Sequence, residues 1–303
     1  MPPIEKLKIV ICGGDEREVE LYRIFKNWGM NVKMIGFDKS YQVNYFDKTE
    51  LNSIKEVNVL ILPIWGINEN GKVAAKLGDA RKTIFSLDEN IPYIHIAPYL
   101  LNFQENFLLV LAGNVPPNLN SMLPQNVKTV ETSMDEEFMQ LNAIPTAEGA
   151  IKKAIETSPL TLHDSKCLVL GMGRCGISLS LRLKALGSKV LGVVRRVETQ
   201  ALACNLNMAT VFFENFEEYL EDTDFIFNTI PEVILSANNL KLIRKETPII
   251  DIAPGGISID VAKKLNLNVY SLPGLPGKIA PKTAGNILAK VYPRLIKSNY
   301  PEN

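Results

Sequence analysis

The chain has 303 residues, 46% of them hydrophobic and 22% charged, and its 33 basic side chains balance 33 acidic ones to a formal net charge of zero. That balance suits a globular protein of two ordinary domains and gives no sign of the basic surface that a nucleic-acid binder needs. No apolar run approaches the roughly 20 residues that cross a bilayer, so no membrane partner is expected.

The N-terminus, MPPIEKLKIVIC, moves straight into a strand with no charged-then-apolar leader, so a cytoplasmic setting is expected. Leu7–Cys12 reads as that strand, and Gly13-Gly14-Asp15 turns it into a helix over Glu16–Trp28. Val32–Phe37, Val57–Leu62 and Ile91–Ala97 are further buried strands, the last two stopped by Pro63 and Pro98. Strands alternating with helices imply a parallel sheet covered on both faces. Near Met134 the pattern changes: a helix from Asp135 is interrupted by Pro145 and resumes over Thr146–Thr157, as two helices of a domain connector.

A second α/β pattern follows, with strands at Cys167–Leu170, Lys189–Val194, Phe225–Thr229, Pro248–Ile252 and Asn268–Ser271. A last helix, about Thr283 to Leu295, lies beyond the final strand and is expected to return to the first domain. The fold class is therefore α/β, with two Rossmann-like doubly wound parallel-sheet domains. Residues 1–144 with 284–303 form a flavodoxin- or Rossmann-like substrate or partner domain, and 145–283 form the NAD(P)-binding domain.

The sharpest signal is the strand, glycine loop, helix and second strand from Lys166 to Arg196. In Gly171-Met172-Gly173-Arg174-Cys175-Gly176, the first glycine allows the tight turn and the second lets backbone approach a pyrophosphate. The third lets the helix pack close to the sheet, while the helix N-terminus offers unpaired N–H groups to phosphate. An NAD site usually carries Asp or Glu at the end of the second strand to hold the ribose 2′-hydroxyl. Here Arg195 and Arg196 stand there, and guanidinium groups bind a 2′-phosphate in forked fashion, which favours NADP and leaves NAD as the alternative. Gly13-Gly14-Asp15 with Phe37-Asp38 imitates this site but lacks the third glycine, and a nucleotide-free domain is preferred there.

Ligands of doubly wound domains sit at the carboxyl ends of strands. That rule selects Thr229, Ile230 and Pro231 for the cofactor, and Asp251 for the region near the nicotinamide. Lys278 and Lys282, at the domain junction beside a helix N-terminus, are candidates for an anionic substrate. Arg17 is a candidate carboxylate ligand, with a helix-surface arginine as the competing view. His95 is a candidate base, set against a packed histidine. Four scattered cysteines, Cys12, Cys167, Cys175 and Cys204, form no CxxC pair and fit a reducing compartment. Two histidines are too few for a histidine-based metal site, and no metal is expected.

Gly13-Gly-Asp-Glu-Arg17, Ile144-Pro-Thr-Ala-Glu-Gly149, the glycine loop, Asn228-Thr-Ile-Pro231 and Leu275-Pro-Gly-Lys-Ile-Ala-Pro-Lys-Thr-Ala-Gly285 together resemble the family of dipicolinate synthase A subunits, in order and over most of the chain. The resemblance implies a soluble protein in the mother cell cytoplasm of a sporulating bacterium. It implies the flavoprotein-like B subunit of dipicolinate synthase as partner, and oxidation of dihydrodipicolinate, a small dicarboxylate, to pyridine-2,6-dicarboxylate. Lys278, Lys282 and Arg17 would meet the carboxylates, with His95 or Glu148 as the base. Two alternatives stay open. A 2-hydroxyacid dehydrogenase shares the two-domain plan but resembles its kin in needing a late histidine, and this chain has none after His163. A non-catalytic, nucleotide-binding regulatory role is the other; a homo-oligomer is compatible with both, since Rossmann enzymes of this plan are often dimers.

Overall fold

A computed structural model gives the fold and describes residues 3–37, 56–74, 93–253 and 255–301. Asp38 and Ile91, each part of an expectation above, lie outside the described residues. The chain divides into two units: Met1–Met139 with Ala280–Asn303, and Gln140–Ile279. These limits fall slightly N-terminal of the expected boundaries at 144/145 and 283/284.

The first unit runs β1 (Ile9–Cys12), α1 (Glu16–Asn27), β2 (Val32–Ile35), β3 (Val59–Ile61), β4 (Lys72–Ala74), β5 (Tyr93–His95), α2 (Ala97–Leu101), β6 (Leu108–Ala112), α3 (Pro117–Met122) and β7 (Val127–Glu131). Its main sheet is parallel in the order β2-β1-β3-β6-β7, with Ile9 opposite both Val32 and Val59. Every residue of β1, β3 and β6 is buried, as strands covered on both faces require. The strands β6 and β7 extend the sheet beyond the sequence reading. VKTVE in β7 is only partly buried and mixes polar with apolar residues, so it lacks the continuous apolar signature.

One predicted strand of this sheet is not in it. Tyr93–His95 pairs antiparallel with Lys72–Ala74, with His95 opposite Lys72, as a separate two-stranded ribbon. Ile94 is buried while Tyr93 and His95 are exposed, the period of a ribbon with one covered face. His95 therefore does not stand in a parallel strand, where the strand predicted over Ile91–Ala97 would place it.

The connector is also corrected. Glu136–Thr157 is one continuous helix, α4, with Pro145 inside it. Proline removes one helical hydrogen bond at a cost of about 3 kcal/mol. Buried Phe138 and Ala143 before it, and Ala147, Ala150 and Ala154 after it, anchor both sides of the helix, so packing outweighs the local cost.

The second unit runs β8 (Lys166–Leu170), α5 (Arg174–Ala185), β9 (Lys189–Val194), α6 (Val197–Asn205), β10 (Ala209–Phe212), β11 (Phe225–Asn228), α7 (Ala237–Lys241), β12 (Ile249–Asp251), α8 (Ile259–Lys264), β13 (Val269–Ser271) and α9 (Leu275–Ile279). Its sheet is parallel in the order β10-β9-β8-β11-β12-β13, the doubly wound dinucleotide-binding order. Separate apolar clusters line it, one including Cys167, Val169, Phe225 and Phe227, the other Leu168, Leu170, Ile226 and Ile249. The edge strand β10 is short and partly exposed, and the sequence reading missed it.

The last helix, α10 (Pro281–Asn299), returns to the first unit and packs on α1, as expected. Ile287, Leu288, Val291 and Leu295 form its buried stripe.

Candidate nucleotide-binding site

The order of the second sheet reverses at β8, whose neighbours are β9 and β11. The loop after β8 thus sits at the switch point where doubly wound sheets bind ligands. Gly171 has φ +89°, a left-handed conformation that suits glycine, and a Cβ there would lie 2.6 Å from Ile230 Cγ1. Gly176 lies under it: a Cβ would fall 1.9 Å from the Gly171 carbonyl oxygen, so α5 reaches the strand only because that atom is missing. Gly173, the N-cap of α5, has no heavy atom of the described residues within 4 Å of a Cβ and no side-chain cap. Two glycines therefore close the loop on the protein, and the one between them faces open space. The loop thus leaves an open surface beside the N–H groups at the start of a helix, where anions are favoured.

The other loop residues divide by role. Met172 lines the cleft, yet its side chain is buried under β9, where a Cβ on Gly192 would meet its sulfur at 2.5 Å. Gly192 is thus a residue the sequence reading missed; its signal is a glycine inside an apolar strand. Arg174 is exposed. Cys175 is half-buried, and burial raises its thiol above the ordinary value, so it is not poised as a nucleophile. Thr229 Oγ1 donates to the carbonyl oxygen of Leu170 at 2.9 Å, tying the end of β11 to the end of β8. Ile230 lines the cleft and Pro231 is exposed beside it.

The cleft has a volume of about 360 Å³ and runs from Gly171 and Gly173 past Val194 to Arg195, Arg196 and Thr199. Both arginines follow β9, and Arg196 is the N-cap of α6. Arg195 Nη2 lies 3.0 Å from Glu232 Oε2, and its Cζ lies 6.0 Å from the centre of the Phe213 ring. Phe213, also in the cleft wall, stacks on buried Phe216 at 5.1 Å.

Asp251 does not face outward. It is buried at the end of β12, and its Oδ1 accepts from Asn228 Nδ2 at 2.9 Å and from the Ala253 N–H at 3.3 Å. Burial raises its carboxyl above the usual range, and those two donors oppose the shift. These hydrogen bonds tie the ends of β11 and β12.

In the first unit, Arg17 is 3% exposed, so it is not a surface arginine. Its Nε and Nη2 donate to Asp15 at 2.9 and 2.7 Å, and its guanidinium lies over the Trp65 ring. Asp15 caps α1 by accepting from the Arg17 N–H, and Glu18 Oε2 accepts from the Asp15 N–H at 2.7 Å. A Cβ on Gly14 would lie 2.5 Å from the Glu18 carboxyl carbon. Gly14 makes room for the Glu18 carboxyl group, whereas a Cβ on Gly13 would lie 2.4 Å from the Ala74 carbonyl oxygen; Asp15 and Glu18 thus occupy the N-terminus that a phosphate would need.

His95 is exposed on its ribbon. Lys278 is in α9 of the second unit and Lys282 in the first turn of α10 in the first; both are exposed, and burial lowers the Lys278 ammonium. Glu148 lies 3.7 Å from Arg182 in a groove between α4 and α5 that reaches Leu186, at the opposite end of α5 from the glycine loop. Within the second unit the structure thus gathers Gly171, Met172, Gly173, Ile230, Arg195 and Arg196 in one cleft, and leaves Asp251 and Glu148 outside its wall.

Residues 8–133 match the family model for the N-terminal domain of the dipicolinate synthase A subunit. Residues 138–263 match that for the NAD binding domain of D-isomer specific 2-hydroxyacid dehydrogenases. The chain is 30% identical over 296 residues to the dipicolinate synthase A subunit of Bacillus subtilis (strain 168), covering 96% of each chain. The crystal structure of the A subunit of dipicolinate synthase from Bacillus halodurans superposes with a TM-score of 0.81 at 31% identity, over 97% of this chain and 98% of that one. The corresponding crystal structure from Bacillus subtilis gives 0.79 at 29%, over 96% of each.

Proposed function

The chain belongs to the family of dipicolinate synthase A subunits, and from that membership we propose that it is an NADP-linked oxidoreductase component forming pyridine-2,6-dicarboxylate from dihydrodipicolinate. A nicotinamide dinucleotide as cofactor class follows from the matched NAD binding domain and the fold. The finer assignment rests on one observation above all: Arg195 and Arg196 line the same cleft as Gly171 and Gly173, with no carboxylate between β9 and α6.

Gly173 and the start of α5 would hold the pyrophosphate, and Arg195 and Arg196 the adenosine end. When bound, the oxidised nicotinamide supplies a hydride acceptor. The substrate gives up one hydride and one ring proton and becomes aromatic, a strongly downhill change that asks little of a base. Lys278 and Lys282 are the exposed cations offered for the two carboxylates. Arg17 is already neutralised by Asp15, so its part is to hold the start of α1. His95 is kept as the proposed proton acceptor because it is exposed, whereas Glu148 is held by Arg182. The partner is the flavoprotein-like B subunit, and the setting is the mother cell cytoplasm of a sporulating bacterium. The absence of a histidine after His163 speaks against a 2-hydroxyacid dehydrogenase reaction despite the matched domain.

The test incubates purified protein with dihydrodipicolinate and NADP⁺, with and without the B subunit, and follows NADPH and pyridine dicarboxylate by absorbance. Stoichiometric appearance of both supports the reading. Product without nucleotide reduction overturns hydride transfer to NADP⁺.

A further inference from the structure

Arg195 follows β9 and Glu232 follows β11, and these strands flank β8 on opposite sides. Two strand spacings separate them, about 10 Å, yet their side chains meet at 3.0 Å. The ion pair therefore spans the carboxyl end of β8, across the mouth of the cleft whose wall includes Arg195 and Ile230. A dinucleotide held on the glycine loop lies along this end of the sheet.

Arg195 is held from two directions. The Phe213 ring, anchored on Phe216, stands on one side, and the Glu232 carboxylate is its counter-ion. The two holds differ in kind. Phe213 belongs to the packed wall and stays whichever anion is present. Glu232, with a side chain 71% exposed on the loop after β11, is a replaceable anion. A phosphate on the adenosine ribose carries more charge than a carboxylate and offers three acceptor oxygens to the guanidinium.

We propose that Glu232 is a specificity-determining residue of this cleft, a built-in counter-ion of Arg195 that a ribose 2′-phosphate must displace. The inference rests on the NADP reading above and deepens it. Glu232 competes with the phosphate for one guanidinium and so tempers NADP affinity. NAD carries no 2′-phosphate to make the exchange, so it gains nothing from removal of the carboxylate. An exposed ion pair contributes roughly 0.2–1 kcal/mol, so the competition is worth up to about five-fold in affinity.

Calorimetry of the full-length protein with NADP⁺ and with NAD⁺ tests this, using wild type, Glu232→Gln, Arg195→Ala and the double variant, each checked for folding by thermal melting. Glu232→Ala serves as a second variant should the glutamine make its own hydrogen bond to Arg195. The expected result is NADP⁺ binding about 1.4- to five-fold tighter in Glu232→Gln, NAD⁺ binding essentially unchanged, and no gain when Arg195 is alanine. Equal tightening of both cofactors, or a gain that persists without Arg195, overturns the proposal in favour of a general charge effect. Wild-type preference for NADP⁺ with no response to either Glu232 variant overturns it while leaving the NADP reading standing. Tighter wild-type binding of NAD⁺ overturns the NADP reading, and the proposal with it.

Discussion

Gly173 carries a distinction that motif spacing cannot express. Its neighbours Gly171 and Gly176 are required by the fold, because a Cβ on either would strike the protein itself. A Cβ on Gly173 would strike none of the described residues, and its φ of −82° is open to any residue. Gly173→Ala is therefore expected to lower stability by less than about 1 kcal/mol, chiefly through a poorer N-cap. NADP⁺ binding should weaken at least about ten-fold, because the added methyl stands where the pyrophosphate approaches. Thermal melting and calorimetry on the same sample check both halves, and unchanged affinity would remove the pyrophosphate from this loop. A second residue-scale prediction concerns pH. Burial, and then the charge of Asp15, push the Glu18 carboxyl up to about 8 from an ordinary 4.5. Between those values the unfolded chain has released this proton and the folded one has kept it, so the group's contribution to stability falls as pH rises from 4.5 to about 8. Asp15 does not offset this within that window: Arg17 overcomes its burial and holds its carboxyl below the usual 3.8. Melting temperatures across this range should show the decline in wild type and lose it in Glu18→Gln; an unchanged slope in the variant would assign it to another group.

At the scale of elements, the pairing of α1 with α10 holds the first unit's two chain segments together. A Cβ on Gly285 would lie 2.6 Å from Glu20 Cβ and 2.9 Å from the Arg17 carbonyl oxygen, so the helices touch through a missing side chain. Gly285→Val is expected to destabilise the first unit by about 2 kcal/mol or more through overpacking. Both tryptophans, Trp28 and Trp65, lie in that unit. Urea unfolding followed by tryptophan fluorescence therefore reads it alone, while NADP⁺ affinity at the second unit should stay within about two-fold. A midpoint equal to that of wild type would mean the helices move apart at little cost. Elements also show where periodicity succeeds and fails. The buried strands β1, β3 and β8 were legible as continuous apolar runs. The strands β7 and β10 were not, because each is only partly buried and mixes polar with apolar residues, and β6 was missed although it is buried throughout. At Pro145 the local rule predicted a break and the packed alanine face of α4 prevailed.

Over the whole molecule, the two units differ in how the chain builds them. The second is continuous in sequence, whereas the first needs residues 280–303 to complete it. A fragment of residues 140–279 is expected to fold alone and bind NADP⁺, and a fragment of residues 1–139 to remain unfolded until the C-terminal segment is supplied. Circular dichroism and NADPH fluorescence measure this, and a cooperative melt from residues 1–139 alone would contradict it. The sequence by itself determined the α/β class, the glycine loop, the returning helix and the arginine pair after the second strand. Each of these is written in local periodicity or in short-range spacing. Tertiary structure decided which ionisable groups meet a partner within the protein. Arg17 is neutralised by Asp15, Asp251 is bound by Asn228, Glu148 faces Arg182, and Arg195 meets Glu232. For Asp251, Glu148 and Arg195 the partners lie more than twenty residues apart, and only the order of the strands and the packing of α4 on α5 bring them together. Arg17 is two residues from its partner, but burial is what turns that neighbour into a lasting counter-ion, because an exposed charge would have water as its partner instead.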